Sequence, residues 1–132
     1  MFKNLLKENF ILLDGGFGTE LIKKGLLPEE DTAAAVFDHP QWVKEIHRSY
    51  IDAGSNIIFA DTFGANAIKL QNSKHSVEKS IFKAIALAKE AAEGTKALVA
   101  LDVSTTGKLL EPAGDLTFEK AYEVYKEVAV LG

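Results

Sequence analysis

Residues 41–61 read QWVKEIHRSYIDAGSNIIFAD, and this stretch decides how the chain folds. Val43, Ile46, Tyr50 and Ala53 recur at helical spacing, which predicts a helix over Gln41–Ala53 with one apolar stripe. Pro40 suits the first helical position, and Gly54 suits a left-handed stop. The run Ile57–Ala60 follows, continuously apolar and closed by Asp61. An uninterrupted apolar run, as opposed to an alternating one, is the pattern of a strand covered on both faces in a parallel sheet.

Working outward, the same unit recurs on either side. Phe10–Leu13 ends at Asp14, and Ala97–Leu101 ends at Asp102, so three buried strands are expected, each finishing in an aspartate. Ser76–Glu93 predicts a helix capped by Ser76 and stopped at Gly94, with Val77, Ile81, Ile85, Ala88 and Ala92 inward. Lys83–Glu93 is expected to be its solvated side. Thr117 caps a further helix with Phe118, Ala121, Tyr125 and Val128 inward, and a short helix over Thr19–Lys24 ends at Gly25. Leu26–His39 reads as an irregular excursion. The alternation of strand and helix predicts an α/β fold with parallel strands and right-handed crossovers.

Eight such units close a (β/α)₈ barrel at about 250 residues. Three would leave both sheet edges open. The expectation for residues 1–132 is therefore a single, incomplete barrel domain: either a fragment, or a half-barrel completed by another copy.

Composition narrows the partners. A net charge of −4 without basic clusters argues against nucleic acid. No run approaches the ~20 apolar residues of a membrane span. The start, Met1–Glu8, has no signal-peptide pattern, which predicts a cytoplasmic protein. The chain has no cysteine, so it contains no disulfide, thiolate nucleophile or cysteine-held metal.

Ligands of parallel α/β folds bind at the carboxyl ends of the strands, where Asp14, Asp61 and Asp102 fall. Three carboxylates converging there suit an amino group or a hard cation. Each could equally cap or turn the chain. The loop Asp14-Gly15-Gly16-Phe17-Gly18-Thr19 opens a helix and offers backbone N–H groups to an anion, a carboxylate for example. It matches neither dinucleotide nor P-loop spacing, and glycine there also serves a tight turn. Thr62 and Asn66 offer a hydroxyl and an amide to a polar ligand, or act as caps. His39, His47 and His75 do not share metal-ligand spacing and read as structural or solvated. Trp42 reads as packing near a helix start.

Three segments, in order, resemble one family. LLDGGFGTEL at Leu12–Leu21, IHRSYIDAGSNIIFADTFGANAIKL at Ile46–Leu70 and TGKLLEPAGDLTFEKAYEVYKE at Thr106–Glu127 are similar to motifs of the homocysteine S-methyltransferases. The last looks closest to the methionine synthase branch. The resemblance implies a barrel that binds homocysteine at its C-terminal face. It implies that Asp14, Gly15, Gly16 and Thr62 hold the amino-acid end, beside Asp61 and Asp102 of the strand-end reading. It also implies a zinc ion, held by three cysteines, that stabilises the substrate thiolate, and a methyl donor such as cobalamin, betaine or S-methylmethionine. The zinc cysteines of the family belong to later strands, so no catalytic or metal-binding residue is expected here, and the isolated chain is expected to be inactive. Asp61 stands where many relatives have Asn, and Val103-Ser104-Thr105-Thr106 where many methionine synthases read Ile-Gly-Pro-Thr. Two other readings are a non-enzymatic half-barrel that self-associates through its open edges and an unrelated α/β enzyme using Mg²⁺.

Overall fold

The computed structural model describes residues 2–7, 10–28 and 30–132. After a short helix α1 (Phe2–Leu5), the elements run α2 (Phe17–Lys24), a 3₁₀ turn (Thr32–Ala34), α3 (Ala35–Asp38) and α4 (Pro40–Asp52). β1 (Ile57–Phe59), α5 (Val77–Ala92), β2 (Leu98–Ala100) and α6 (Phe118–Leu131) follow. β1 and β2 are parallel, with Ile57 opposite Leu98 and Phe59 opposite Ala100. The fold is a mixed α/β arrangement around a small parallel sheet, with helices crossing between strands.

The strand predicted at Phe10–Leu13 is reduced to a single parallel bridge, Leu13 to Ile57. Its backbone lies along β1, because Leu12 accepts from Asn56 and Ile57, and Asp14 donates to the Ile57 carbonyl at 3.1 Å. Burial on both faces, however, does not hold: Phe10 is 72% exposed, and Leu12 and Leu13 are about half exposed. Among the described residues, no strand lies beyond this segment to cover them. β2 is half-buried along its length, as befits an edge. In the central strand β1, Ile58 is buried between half-buried Ile57 and Phe59, and Ala60 just past its end is buried too.

The helices start where capping chemistry places them. The Ser76 hydroxyl accepts from the Lys79 N–H at 3.3 Å, and Thr117 from Lys120 at 3.2 Å. Gly25, Gly54 and Gly94 all take positive φ at the helix ends, where glycine carries no side-chain penalty.

Two inward faces differ from expectation. α6 buries Ala121, Val124 and Val128, whereas Phe118 is 71% exposed and Tyr125 also faces out. This helix packs on α5, so a narrow stripe of small side chains suffices. α5 itself is flanked by α3, α4, α6 and β2. It therefore buries Ser80, Ala84, Leu87 and Ala91 besides Val77, Ile81 and Ala88, leaves Ile85 and Ala92 half-buried, and exposes only Ala86, Lys89, Glu90 and Glu93 of the Lys83–Glu93 run. The described residues of the excursion, 26–28 and 30–39, also carry regular structure and core contacts. Asp31 caps the 3₁₀ turn by accepting from Ala33 at 2.9 Å, and Leu26, Ala33, Ala35 and Val36 are buried.

The main core joins Leu21, Leu26, Val36, Val43, Ile46, Ile58 and Leu87. His47 is fully buried on α4 beside Phe17. Both of its ring nitrogens lack a hydrogen-bond partner, and burial pushes its pKa down to about 4. Trp42 stacks on His39 at 4.0 Å, consistent with a packing role.

Candidate functional site

Where the sheet ends, two side chains take over its hydrogen bonding. On one side of β1, the rung after Asp14 N–H to Ile57 would pair the Phe59 N–H with the Asp14 carbonyl. The Asp14 carboxylate takes that place and accepts from the Phe59 N–H at 2.9 Å. The backbone is thereby free to peel away as the glycine loop. On the other side, the Thr62 hydroxyl donates to the Asp102 carbonyl at 2.9 Å and accepts from the Asp102 N–H at 3.0 Å. This buried hydroxyl joins the ends of β1 and β2 and is fully engaged by backbone. Asn66 is buried as well: its carbonyl accepts from Ile68 and Lys69, so it serves the turn that follows β1.

The glycine loop is held from behind. The Tyr50 hydroxyl of α4 donates to the Gly16 carbonyl at 2.9 Å. A Cβ on Gly15 would lie 3.1 Å from that hydroxyl, so a larger residue would require the Tyr50 side chain to shift. Gly16 is the N-cap of α2 and brings no side-chain cap. The first-turn N–H groups are therefore left for an anion.

Asp14, Gly15, Gly16, Phe17 and Gly18 line one wall of a cavity of about 500 Å³. Phe59, Ala60, Asp61, Phe63 and Asp102 line the other, with Thr32 at the margin. The structure thus brings Asp14, Asp61, Asp102, Gly15 and Gly16 to one cavity, whereas Thr62 is buried and does not line it. A larger hollow, lined by Leu5, Phe10, Leu12, Asn56, Lys96 and neighbours, opens at the opposite ends of the strands, away from these polar groups.

All three carboxyls are held above the ordinary aspartate range. Burial raises Asp61 to about 7, helped by the nearby charges of Asp102 and Asp31. Its Oδ2 is buried without a hydrogen-bond partner. Burial also raises Asp14, against the Phe59 N–H, which favours its charged form. Asp102 is raised by burial and drawn back by the Lys69 ammonium. Such a group of desolvated acids is short of a cation.

The residues do not fit a zinc ion. The chain has no cysteine, and among the described residues no three His, Asp or Glu side chains are arranged to hold a metal. Nor is any described helix long and apolar enough to cross a membrane.

Four contributors are not singled out in the sequence: Tyr50 reads there as part of a helix's apolar stripe and Phe59 as strand, while Phe63 and Lys69 fall within the second motif with no role of their own.

Strand-end acids and a glycine-rich helix start share this cavity on a parallel α/β scaffold. The homocysteine S-methyltransferase family profile matches residues 11–131, and the chain belongs to that family. It is 33% identical to betaine–homocysteine S-methyltransferase 1 of Bos taurus, a match over 98% of this chain and 34% of that protein. The Sus scrofa protein of the same name is 32% identical over 97% of the chain and 49% of its own length. The chain thus spans a third to a half of these curated relatives. The homocysteine methyltransferase MmuM of Escherichia coli, in its metallated form, superposes with a TM-score of 0.80 at 21% identity. That likeness, one of fold, covers 98% of this chain and 51% of MmuM.

Proposed function

We propose that this chain forms the first three βα units of a (β/α)₈ barrel and supplies the amino-acid-binding side of a methyl transfer to homocysteine. Homocysteine carries an ammonium, a carboxylate and a thiol. The ammonium suits Asp61, with Asp14 and Asp102 around it. The carboxylate suits the N–H groups of the glycine loop at the start of α2. Bound this way, the side chain and its sulfur extend past Phe63. In the reaction the sulfur gives up its proton and forms a bond to the donor's methyl carbon as the donor's bond to that carbon breaks.

This chain's residues bind and orient; they do not activate sulfur. A thiol is mostly protonated at neutral pH, and zinc would supply its thiolate. With no cysteine in the chain and no fitting cluster among the described residues, the isolated chain is expected to be inactive. The relatives' names give betaine as the donor for those proteins.

The observation that carries this reading is the buried, unpartnered Oδ2 of Asp61 in a cavity shared with two further acids. Titration calorimetry with L-homocysteine and with 4-mercaptobutyrate, which lacks the ammonium, tests it. Binding of the first and not the second is expected. Equal binding, or none of either, overturns it.

A second reading has its own observation. Phe10, Leu12 and Leu13 form an exposed apolar strip beside β1. This favours self-association of the half-barrel. Light scattering across a concentration series tests it, and a monomer throughout counts against it.

A further inference from the structure

Lys69 does not line the cavity, yet it touches what does. Its ammonium donates to the Phe63 carbonyl at 3.1 Å and to the Ser104 hydroxyl at 3.0 Å. It also sits 4.2 Å from the centre of the Phe63 ring, within cation–π range. The Ser104 hydroxyl in turn donates to the same Phe63 carbonyl. Phe63 follows β1 and Ser104 follows β2, so one half-buried cation fastens the two strand-end loops to each other. Thr62 ties the same loops by their backbones, but it is buried, whereas Lys69 acts at the rim.

We propose that Lys69 is a positioning residue of the pocket, locking the loops of Phe63 and Ser104 together and so fixing the aromatic wall against which the substrate's side chain lies. The proposal rests on the amino-acid reading of the cavity for its last clause. The clamp itself is a property of the empty chain. Three features support it. Phe63 is 57% exposed, and its ring faces the Lys69 ammonium. A ring already facing one cation attracts a second less, which leaves Phe63 for the methylenes and sulfur and the acids for the ammonium. Finally, Lys69 counters the burial of Asp102, whose other charged neighbours in the cavity, Asp14 and Asp61, are both acids.

The test compares the full chain with Lys69→Met, which keeps the apolar stem, and Lys69→Arg, which keeps the charge. Carboxyl NMR of the ligand-free proteins follows Asp102, and nuclear Overhauser contacts follow Phe63 against Ser104, whose hydroxyl meets the Phe63 carbonyl. In Lys69→Met, Asp102 is expected to titrate at higher pH and the Phe63–Ser104 contacts to fade. Homocysteine affinity is expected to fall roughly two- to fivefold. Lys69→Arg restores the Asp102 midpoint. An unmoved Asp102 midpoint together with intact Phe63–Ser104 contacts in a folded Lys69→Met overturns the proposal. If that variant does not fold, Ser104→Ala, on the same loop, is expected to weaken the Phe63 contacts, and no change there overturns it. Should the parent not bind homocysteine, the amino-acid reading fails while the two ligand-free readouts still decide the role of Lys69.

Discussion

The Asp14 carboxylate accepts from the Phe59 N–H at 2.9 Å, on the rung where the Asp14 carbonyl would otherwise sit. Rung and charge can be separated. Asp14→Asn keeps an oxygen for the rung and loses the charge, which burial disfavours. Its stability is expected to be unchanged or slightly higher, with weaker homocysteine binding. Asp14→Ala leaves a part-buried N–H unpaired and is expected to cost about 1–3 kcal/mol. Urea denaturation measures both, and equal losses would remove the rung from the account.

Thr62 joins Asp102 through both of its backbone groups. Thr62→Val keeps the shape and is expected to cost about 1–3 kcal/mol, whereas Thr62→Ser keeps most of the stability. Hydrogen exchange at the Asp102 amide is the direct readout: fast in the valine variant, slow in the serine variant.

Asp61 gives stability a pH dependence of known sign. Its folded pKa of about 7 lies above the reference value of 3.8, so the fold favours the protonated acid. The group's contribution is full below about pH 4 and is lost as pH rises through about 7. Asp61→Asn should therefore be more stable than the parent at pH 8, by on the order of 1–4 kcal/mol. The gap should narrow toward pH 4. A pH-independent gap in urea midpoints would show that the carboxyl is not held neutral. Ligand binding should also release a proton near pH 7, read as buffer-dependent heat in calorimetry.

His47 has the opposite sign. Its folded pKa of about 4 lies below the reference value of 6.5, so its contribution is present above about 6.5 and lost as pH falls through 4. Its ring nitrogens have no partner to lose. His47→Leu is expected to be more stable than the parent at pH 5, by on the order of 1–3 kcal/mol. Loss of stability at every pH would point to packing as its dominant role.

Much of this was legible in order and little of it in exposure. Ser76, Thr117, Gly25, Gly54 and Gly94 mark helix ends by chemistry local to the chain, and they read correctly. The apolar runs at residues 10–13 and 97–101 could not disclose how many neighbours each strand has, so the edges were expected to be buried. Phe118 and Tyr125 were assigned inward on period alone; the partner helix chose Val124. At the site, the strand-end rule gathered Asp14, Asp61 and Asp102 correctly into one cavity. What escaped it were contacts across 34 to 35 residues, such as Tyr50 with Gly16 and Lys69 with Ser104. No local pattern encodes those.

The Tyr50 hydroxyl reaches the glycine loop from α4, a helix that also packs on α5. Whatever shifts those two cylinders therefore moves the loop's amides by the same lever. Adaptation of ligand grip can proceed in the outer layer, at sites that never meet the ligand, while every lining residue stays the same.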